Sequence, residues 1–251
     1  MVLPWKTVWI TGASTGIGAE VAKQLAAAGV TVAISARKAD TLNELAAHQP
    51  NLKPYPLDVT DAKHVAVCFA KIESDLGPVD LIIAGAGTYK PVLAADMTPE
   101  IFQSTMAVNY LGVTNVLCAV VPVMKQRKTG HISWIASVAG YTGLPKAAAY
   151  GPSKAALINL AECLKPELNS DGIDVSIINP GFVKTPLTAQ NDFDMPYLME
   201  VEEAARLTIA GLEKKHFEIS YPKPFVRILK TMKLLPYSLY FWLIRRYVLK
   251  A

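Results

Sequence analysis

Thr7-Val8-Trp9-Ile10-Thr11-Gly12-Ala13-Ser14-Thr15-Gly16-Ile17-Gly18 is the stretch whose reading decides the fold. The run TVWIT (7–11) is β-branched and aromatic, which suits a buried strand. After the glycine-rich turn the apolar spacing becomes helical from Ala19 to Ala28, and Gly29 supplies the C-terminal stop. Gly12 permits a tight turn, Gly16 lets backbone approach a diphosphate, and Gly18 lets the helix pack close to the strand. The N–H groups of Ser14, Thr15 and Ile17 and the positive helix end then face the anion. The spacing is GxxxGxG, which alone also fits an ordinary strand-to-helix turn. Its place in the first strand–turn–helix unit favours dinucleotide binding.

Working outward, strands at 30–35, 52–59, 79–87, 131–137, 173–179 and 217–220 alternate with helices at 38–48, 61–75, 99–127, 150–169 and 200–214. Continuous apolar strands separated by helices imply a parallel sheet covered on both faces. The expected fold is α/β, a doubly wound parallel sheet of Rossmann type with a C-terminal basic amphipathic helical tail. The expected organisation is an oxidoreductase domain over 1–213 and an extension over 214–251. With 251 residues, 51% hydrophobic and 18% charged, the chain has ample material for one such core.

The net charge of +4 is unevenly placed. Residues from Lys214 onward hold nine Lys/Arg against one acid, Glu218, while 1–213 hold 16 basic and 20 acidic residues. The body therefore lacks the basic face that nucleic-acid binding needs. Cys68, Cys118 and Cys163 are widely spaced and form no Cys/His cluster, so a metal site and a disulfide framework are not expected and a reducing compartment fits. No secretory leader is legible, and no uninterrupted apolar stretch approaches the ~20 residues of a bilayer span. The expected location is cytoplasmic.

At the end of the second strand, Ser35-Ala36-Arg37-Lys38 offers cations where a carboxylate would pair with a ribose 2′-hydroxyl. Arg37 can clamp a 2′-phosphate, which favours NADP(H), with NAD(H) as the alternative. Asp58 and Val59 are candidate adenine contacts, and Asp58 equally suits a turn or helix cap.

Ser137 ends a strand, and Tyr150 and Lys154 stand four apart at the start of a helix, on one face. A phenol with a pKa near 10 exchanges protons poorly at neutral pH, and a neighbouring ammonium is expected to lower it. Tyr150 would exchange a proton with a substrate oxygen, Ser137 would orient that oxygen, and Lys154 would tune the phenol and hold the ribose.

With TGxxxGxG, Asn109, Ser137 and YxxxK in order, residues 6–213 resemble a short-chain dehydrogenase/reductase of the ~250-residue kind. The resemblance implies a proton relay through Asn109 and a water, with Pro180, Gly181, Val183 and Thr185 bordering the nicotinamide. It also implies homo-oligomerisation through the helices at 99–127 and 150–169. Where the family usually shows NNAG, this chain has Ala84-Gly85-Ala86-Gly87. Gly85, Ala86 and Gly87 keep the cofactor-side turn, but both amide side chains are gone, which puts local sheet hydrogen bonding in question. His48, His64, His131 and His216 occupy none of the family's catalytic positions.

The expected activity interconverts a carbonyl and a secondary alcohol on a lipophilic small molecule. The alternative is a catalytically silent, NADP(H)-binding regulatory or scaffold protein at a membrane. A third reading, a membrane-surface structural protein without nucleotide, has less behind it. Residues 225–235 form a basic amphipathic pattern, and Tyr237 to Ile244 is aromatic and apolar, closed by Arg245-Arg246. That tail suits peripheral membrane contact or folding over the pocket equally. A polar loop at 187–199 is the expected pocket lid.

Overall fold

The computed structural model describes residues 3–47 and 49–249. Its strands are β1 (Thr7–Thr11), β2 (Thr31–Ser35), β3 (Leu52–Pro54), β4 (Leu81–Ala84), β5 (Gly130–Ile135), β6 (Ile173–Pro180) and β7 (Glu218–Tyr221). They form one sheet in the order β3-β2-β1-β4-β5-β6-β7, and every pairing is parallel. The chain winds outward from β1 to β3, then crosses back to lay β4 beside β1. That reversal opens a crevice at the carboxyl ends of β1 and β4, where Thr11 pairs with Ser35 on one side and Ala84 on the other.

Helices α1 (Gly16–Ala27), α2 (Ala39–Ala46) and α7 (Val201–Glu213) cover one face, burying Val21, Leu25, Leu42 and Leu212 against Ile10, Ile34 and Ile83. Helices α3 (Ala62–Leu76), α5 (Gly112–Arg127) and α6 (Tyr150–Ser170) cover the other, around Trp9, Phe69, Trp134 and Leu157. Successive strand residues supply the two cores, so both faces of the sheet are dry.

The structure trims three expected elements. The strand expected over 52–59 is only Leu52–Pro54, an edge strand beyond which Tyr55 and Leu57 N–H still donate to the Ile34 and Ala36 carbonyls, while Pro54 and Pro56 take edge positions that need no donor. The strand expected over 79–87 is only Leu81–Ala84, after which the chain peels away to form the crevice rim. The helix expected over 99–127 is α4 (Pro99–Met106) joined to α5 by a π turn, Ala107–Leu111, that carries Asn109. This combined helix is long and apolar enough to cross a bilayer, although polar residues interrupt it. Here its Val113, Val116, Val120 and Met124 stripe lies in the core. His48 lies outside the described residues.

The sheet's last strand, β7, comes from beyond residue 213. It leads into α8 (Lys223–Lys233) and α9 (Tyr237–Leu243), with a further π turn at Ile244–Leu249. The apolar face of α8, Phe225, Val226 and Leu229, packs on Val138 and Tyr141. Tyr141 Oη donates to Glu218 Oε1 at 2.5 Å, Asn179 Nδ2 donates to the same oxygen at 3.1 Å, and Lys230 on α8 donates to Glu218 Oε2. The first helix of the tail is thus fastened to the sheet beside Ser137.

His131, on β5, is buried. Ser176 Oγ donates to the His216 carbonyl at 2.7 Å, so the His131 Nε2–H, 2.8 Å away, donates to Ser176. Nδ1 is buried without a partner, and burial pulls the ring's pKa down to about 4. The unfolded chain therefore binds this proton more readily than the folded one, and stability falls as pH drops from about 6.5 to about 4. The loss from this group approaches about 3 kcal/mol. Urea unfolding of His131→Gln across that range should show a flatter pH dependence than the parent chain.

Candidate active site

The glycine turn is shaped by contact with its neighbours. Gly12 has φ +70°, and a Cβ there would sit 2.6 Å from the Ala86 backbone. A Cβ on Gly18 would sit 2.6 Å from the Gly12 carbonyl oxygen. The turn from β1 therefore nests against the turn after β4, and α1 starts hard against both. No side chain caps the start of α1, which leaves its first N–H groups free for an anion. A Cβ on Gly16 would meet Thr185 Cγ2 at 3.2 Å, so the segment after β6 closes over the turn.

The departure from NNAG is absorbed by Thr11. Gly85 N–H donates to the Thr11 carbonyl at 3.1 Å, and Ala86 N–H points at Thr11 Oγ1, 3.4 Å away. Backbone and a hydroxyl thus tie the turn after β4 to the end of β1.

A cleft of about 750 Å³ runs along this rim. Gly12, Ser14, Thr15, Arg37, Asp58, Val59, Ala86 and Gly87 line it, together with Thr41, Thr88, Lys90 and Ser104. Arg37 and Lys38 are exposed on its wall. Asp58 Oδ1 accepts from Thr60 N–H at 2.9 Å and Thr60 Oγ1 at 2.8 Å, a side-chain-closed turn. Those bonds, with Arg37 nearby, hold its carboxyl below the usual range. An uncapped helix start, an unobstructed glycine turn and a long cleft ending in cations fit a dinucleotide.

The chemistry-bearing side chains meet at the other end. Tyr150 is the first residue of α6, half-buried, with Ser137 close enough to act on its phenol. Ser137 Oγ donates to the Pro180 carbonyl at 3.3 Å and accepts from Ala139 N–H at 3.1 Å. Lys154, one turn along α6, is 4% exposed and donates to the Ile135 carbonyl at 2.8 Å, with Nζ 5.5 Å from the Tyr150 ring centre. Asn109 Nδ2 donates to the Thr88 carbonyl and to Ser153 Oγ, each at 3.0 Å, and Oδ1 accepts from Thr88 N–H at 2.7 Å. A Cβ on Gly87 would stand 3.5 Å from Asn109 Oδ1 and 3.6 Å from Lys154 Nζ, so these two groups converge over the turn after β4.

Electrostatics correct one expectation. The ammonium of Lys154 does not lower the Tyr150 pKa; burial pushes that phenol up to about 12. Burial also brings Lys154 down to about 7, since its nitrogen has exchanged water for one carbonyl. Desolvation outweighs mutual support, most of all at Lys154, which is almost wholly buried.

Of the other residues singled out, Ile17 lies half-buried in α1, and Gly85 touches Ile135 behind the cleft wall. Pro180 ends β6 within reach of Ser137. Gly181 N–H donates to the Tyr221 carbonyl at 2.7 Å. Val183 is buried and bridges to Met199, and its carbonyl accepts from Thr188 Oγ1 at 2.5 Å. Thr185 Oγ1 shares hydrogen bonding with Thr188.

Sequence reasoning missed Tyr89. Its ring meets that of Tyr150 edge-on at 5.0 Å, and burial, with Asp192 nearby, raises its pKa. Its position two residues after Gly87 was the available signal. Also missed was the latch on the 187–199 loop. Lys146 Nζ holds both Asp192 oxygens, at 2.7 and 2.8 Å, and lies 6.0 Å from the Phe193 ring centre. Phe193 meets Phe182 edge-on at 5.9 Å, Phe182 stacks on Phe225 at 5.4 Å, and Tyr197 lies against Phe225.

A family model described as short chain dehydrogenase matches residues 6–195. An uncharacterized oxidoreductase of Myxococcus xanthus (strain DK1622) is 35% identical over 242 residues, covering 95% of this chain and 96% of the relative. Among solved structures, a short-chain dehydrogenase from Streptomyces avermitilis matches with a TM-score of 0.84 and 25% identity, over 98% of this chain and 97% of its own. A structure described as ElxO with NADP bound matches with a TM-score of 0.77 and 25% identity, over 86% of this chain and 97% of its own. The chain therefore belongs to the short-chain dehydrogenase/reductase family of NAD(P)-dependent oxidoreductases.

Proposed function

We propose that this protein is an NADP(H)-dependent reductase that converts the carbonyl of an apolar small molecule to a secondary alcohol, with Tyr150 as proton donor. The observation that carries this reading is the convergence of Tyr150 and Lys154 at the start of α6, with burial keeping the phenol protonated. A phenol that stays neutral across physiological pH is set to give a proton rather than take one. When bound along the cleft, a nicotinamide cofactor would supply hydride to the carbonyl carbon. Ser137 would turn its one hydroxyl hydrogen from the Pro180 carbonyl to the substrate oxygen, Tyr150 would donate to the same oxygen, and the Tyr150 proton would pass to it as the alcohol forms. Lys154, near neutrality, is the nearest reservoir to replace it. Both amide hydrogens of Asn109 are committed to Thr88 and Ser153. A water relay there runs through Oδ1 or main-chain oxygen, and Asn109 otherwise positions the Thr88 peptide at the cleft floor.

Arg37 is assigned to the 2′-phosphate of NADP(H): it lines the cleft beyond β2, and Ser35, Ala36 and Lys38 around it offer no carboxylate to reject that group. The apolar substrate is inferred from two sets of rings: Tyr89 against Tyr150, and Phe193 and Tyr197 of the 187–199 loop packed with Phe182 and Phe225.

Tyr150→Phe should lower carbonyl reduction by NADPH at least about 100-fold while NADPH binding stays near the parent value, read by steady-state rates and calorimetry. Retained turnover would remove Tyr150 as the donor. Arg37→Ala should weaken NADPH binding about tenfold or more and leave NADH binding unchanged. Because Lys154 loses its proton as pH rises through about 7, reductive turnover should fall over that interval. Lys154→Arg should move the fall to higher pH.

A further inference from the structure

We propose that α9 and the π turn after it form a docking face for an anionic lipid bilayer. The argument begins with which side of this helix is used. Tyr240 and Ile244, one turn apart, are buried, and Tyr240 Oη donates to the Gly143 carbonyl. That contact anchors the helix to the loop between Ser137 and Tyr150. The remaining positions carry the wrong residues for a solvent face. Tyr237 is 78% exposed, Phe241 51%, Trp242 55% and Tyr247 66%. Leu234, Leu239, Val248 and Leu249 are exposed around them. A water-facing helix side is ordinarily polar, and an apolar patch of this extent marks a surface that meets another phase or partner.

Charge selects the partner. Arg245 and Arg246 are exposed within the patch, and Arg227 and Lys233 are exposed on the neighbouring α8. From Lys214 onward the only acid is Glu218, and it is already engaged by Tyr141, Asn179 and Lys230. A second copy docked face to face would bring these cations against themselves with no carboxylate to answer them. Lipid phosphates answer them directly. Aromatic rings interleaved with arginines also match the headgroup layer, where Trp and Tyr settle and cations meet anionic lipid. Together α9 and the π turn rise only about 20 Å, too short for the ~30 Å hydrocarbon core, so the segment lies on the surface. Because Tyr240 is tied to Gly143, the docked face adjoins the loop that leads to Tyr150.

The full chain is floated with vesicles of phosphatidylcholine alone and with added phosphatidylglycerol. The expected result is co-flotation with the phosphatidylglycerol vesicles alone, reversed by high salt. Arg245→Gln with Arg246→Gln should lower the partition coefficient about twentyfold. Phe241→Ser with Trp242→Ser should abolish flotation at an unchanged melting temperature, since both side chains are exposed. Vesicle binding should also blue-shift tryptophan emission in the parent but not in Trp242→Ser, because Trp5, Trp9 and Trp134 are buried. Two results overturn the proposal: a chain that stays in the buffer fraction with both vesicle types, or sedimentation showing dimers that Phe241→Ser with Trp242→Ser dissociates. None of these readouts requires turnover, so they succeed or fail apart from the redox reading.

Discussion

Lys154 gives up bulk water for a 2.8 Å hydrogen bond to the Ile135 carbonyl, and the catalytic end of the molecule is arranged around that exchange. A lone ammonium in a dry setting is costly, and the protein meets the cost by letting its pKa fall to about 7. The bond also sets orientation. Ile135 is the last residue of β5, Ser137 follows two residues later, and Tyr150 lies one helical turn before Lys154. One hydrogen bond from helix to strand end therefore registers the phenol against the serine. Asn109 does the same from the other side, bracketing the Thr88 peptide from a π turn that an unbroken helix would not provide.

The opposite end of the cleft is governed by steric exclusion. Gly12 and Gly18 are fixed by backbone atoms 2.6 Å from where a side chain would begin. The turns after β1 and β4 thus interlock and keep the helix start open to an anion. The site depends on the order of the sheet, since only the return of the chain to β1 sets these two turns side by side.

Much of this was legible in the sequence because it is local. A strand, a glycine turn and a helix are written in consecutive residues, as is the Tyr150–Lys154 spacing. What escaped was non-local. Lys146 and Asp192 are 46 residues apart and meet only because the 187–199 loop folds back, and no periodicity announces that contact. The direction of the Tyr150 shift was misjudged for a related reason. Spacing reveals that a cation is near, whereas the depth of burial that outweighs it is a property of the packed protein. The substitution of Ala84-Gly85-Ala86-Gly87 for NNAG looked like a loss of hydrogen bonding, yet Thr11, on a different strand, holds this turn through its carbonyl and hydroxyl. For the tail, the amphipathic period of α8 was readable, but its fastening through Tyr141, Glu218 and Lys230 was not.

The pairing of Lys146 with Asp192 ties together two distant stretches of chain. Lys146 stands four residues before Tyr150, and Asp192 belongs to the 187–199 loop. Any displacement of that loop away from Lys146 gives up both hydrogen bonds at once. The pair is partly exposed, so dissolved ions weaken it and loosen the loop's attachment.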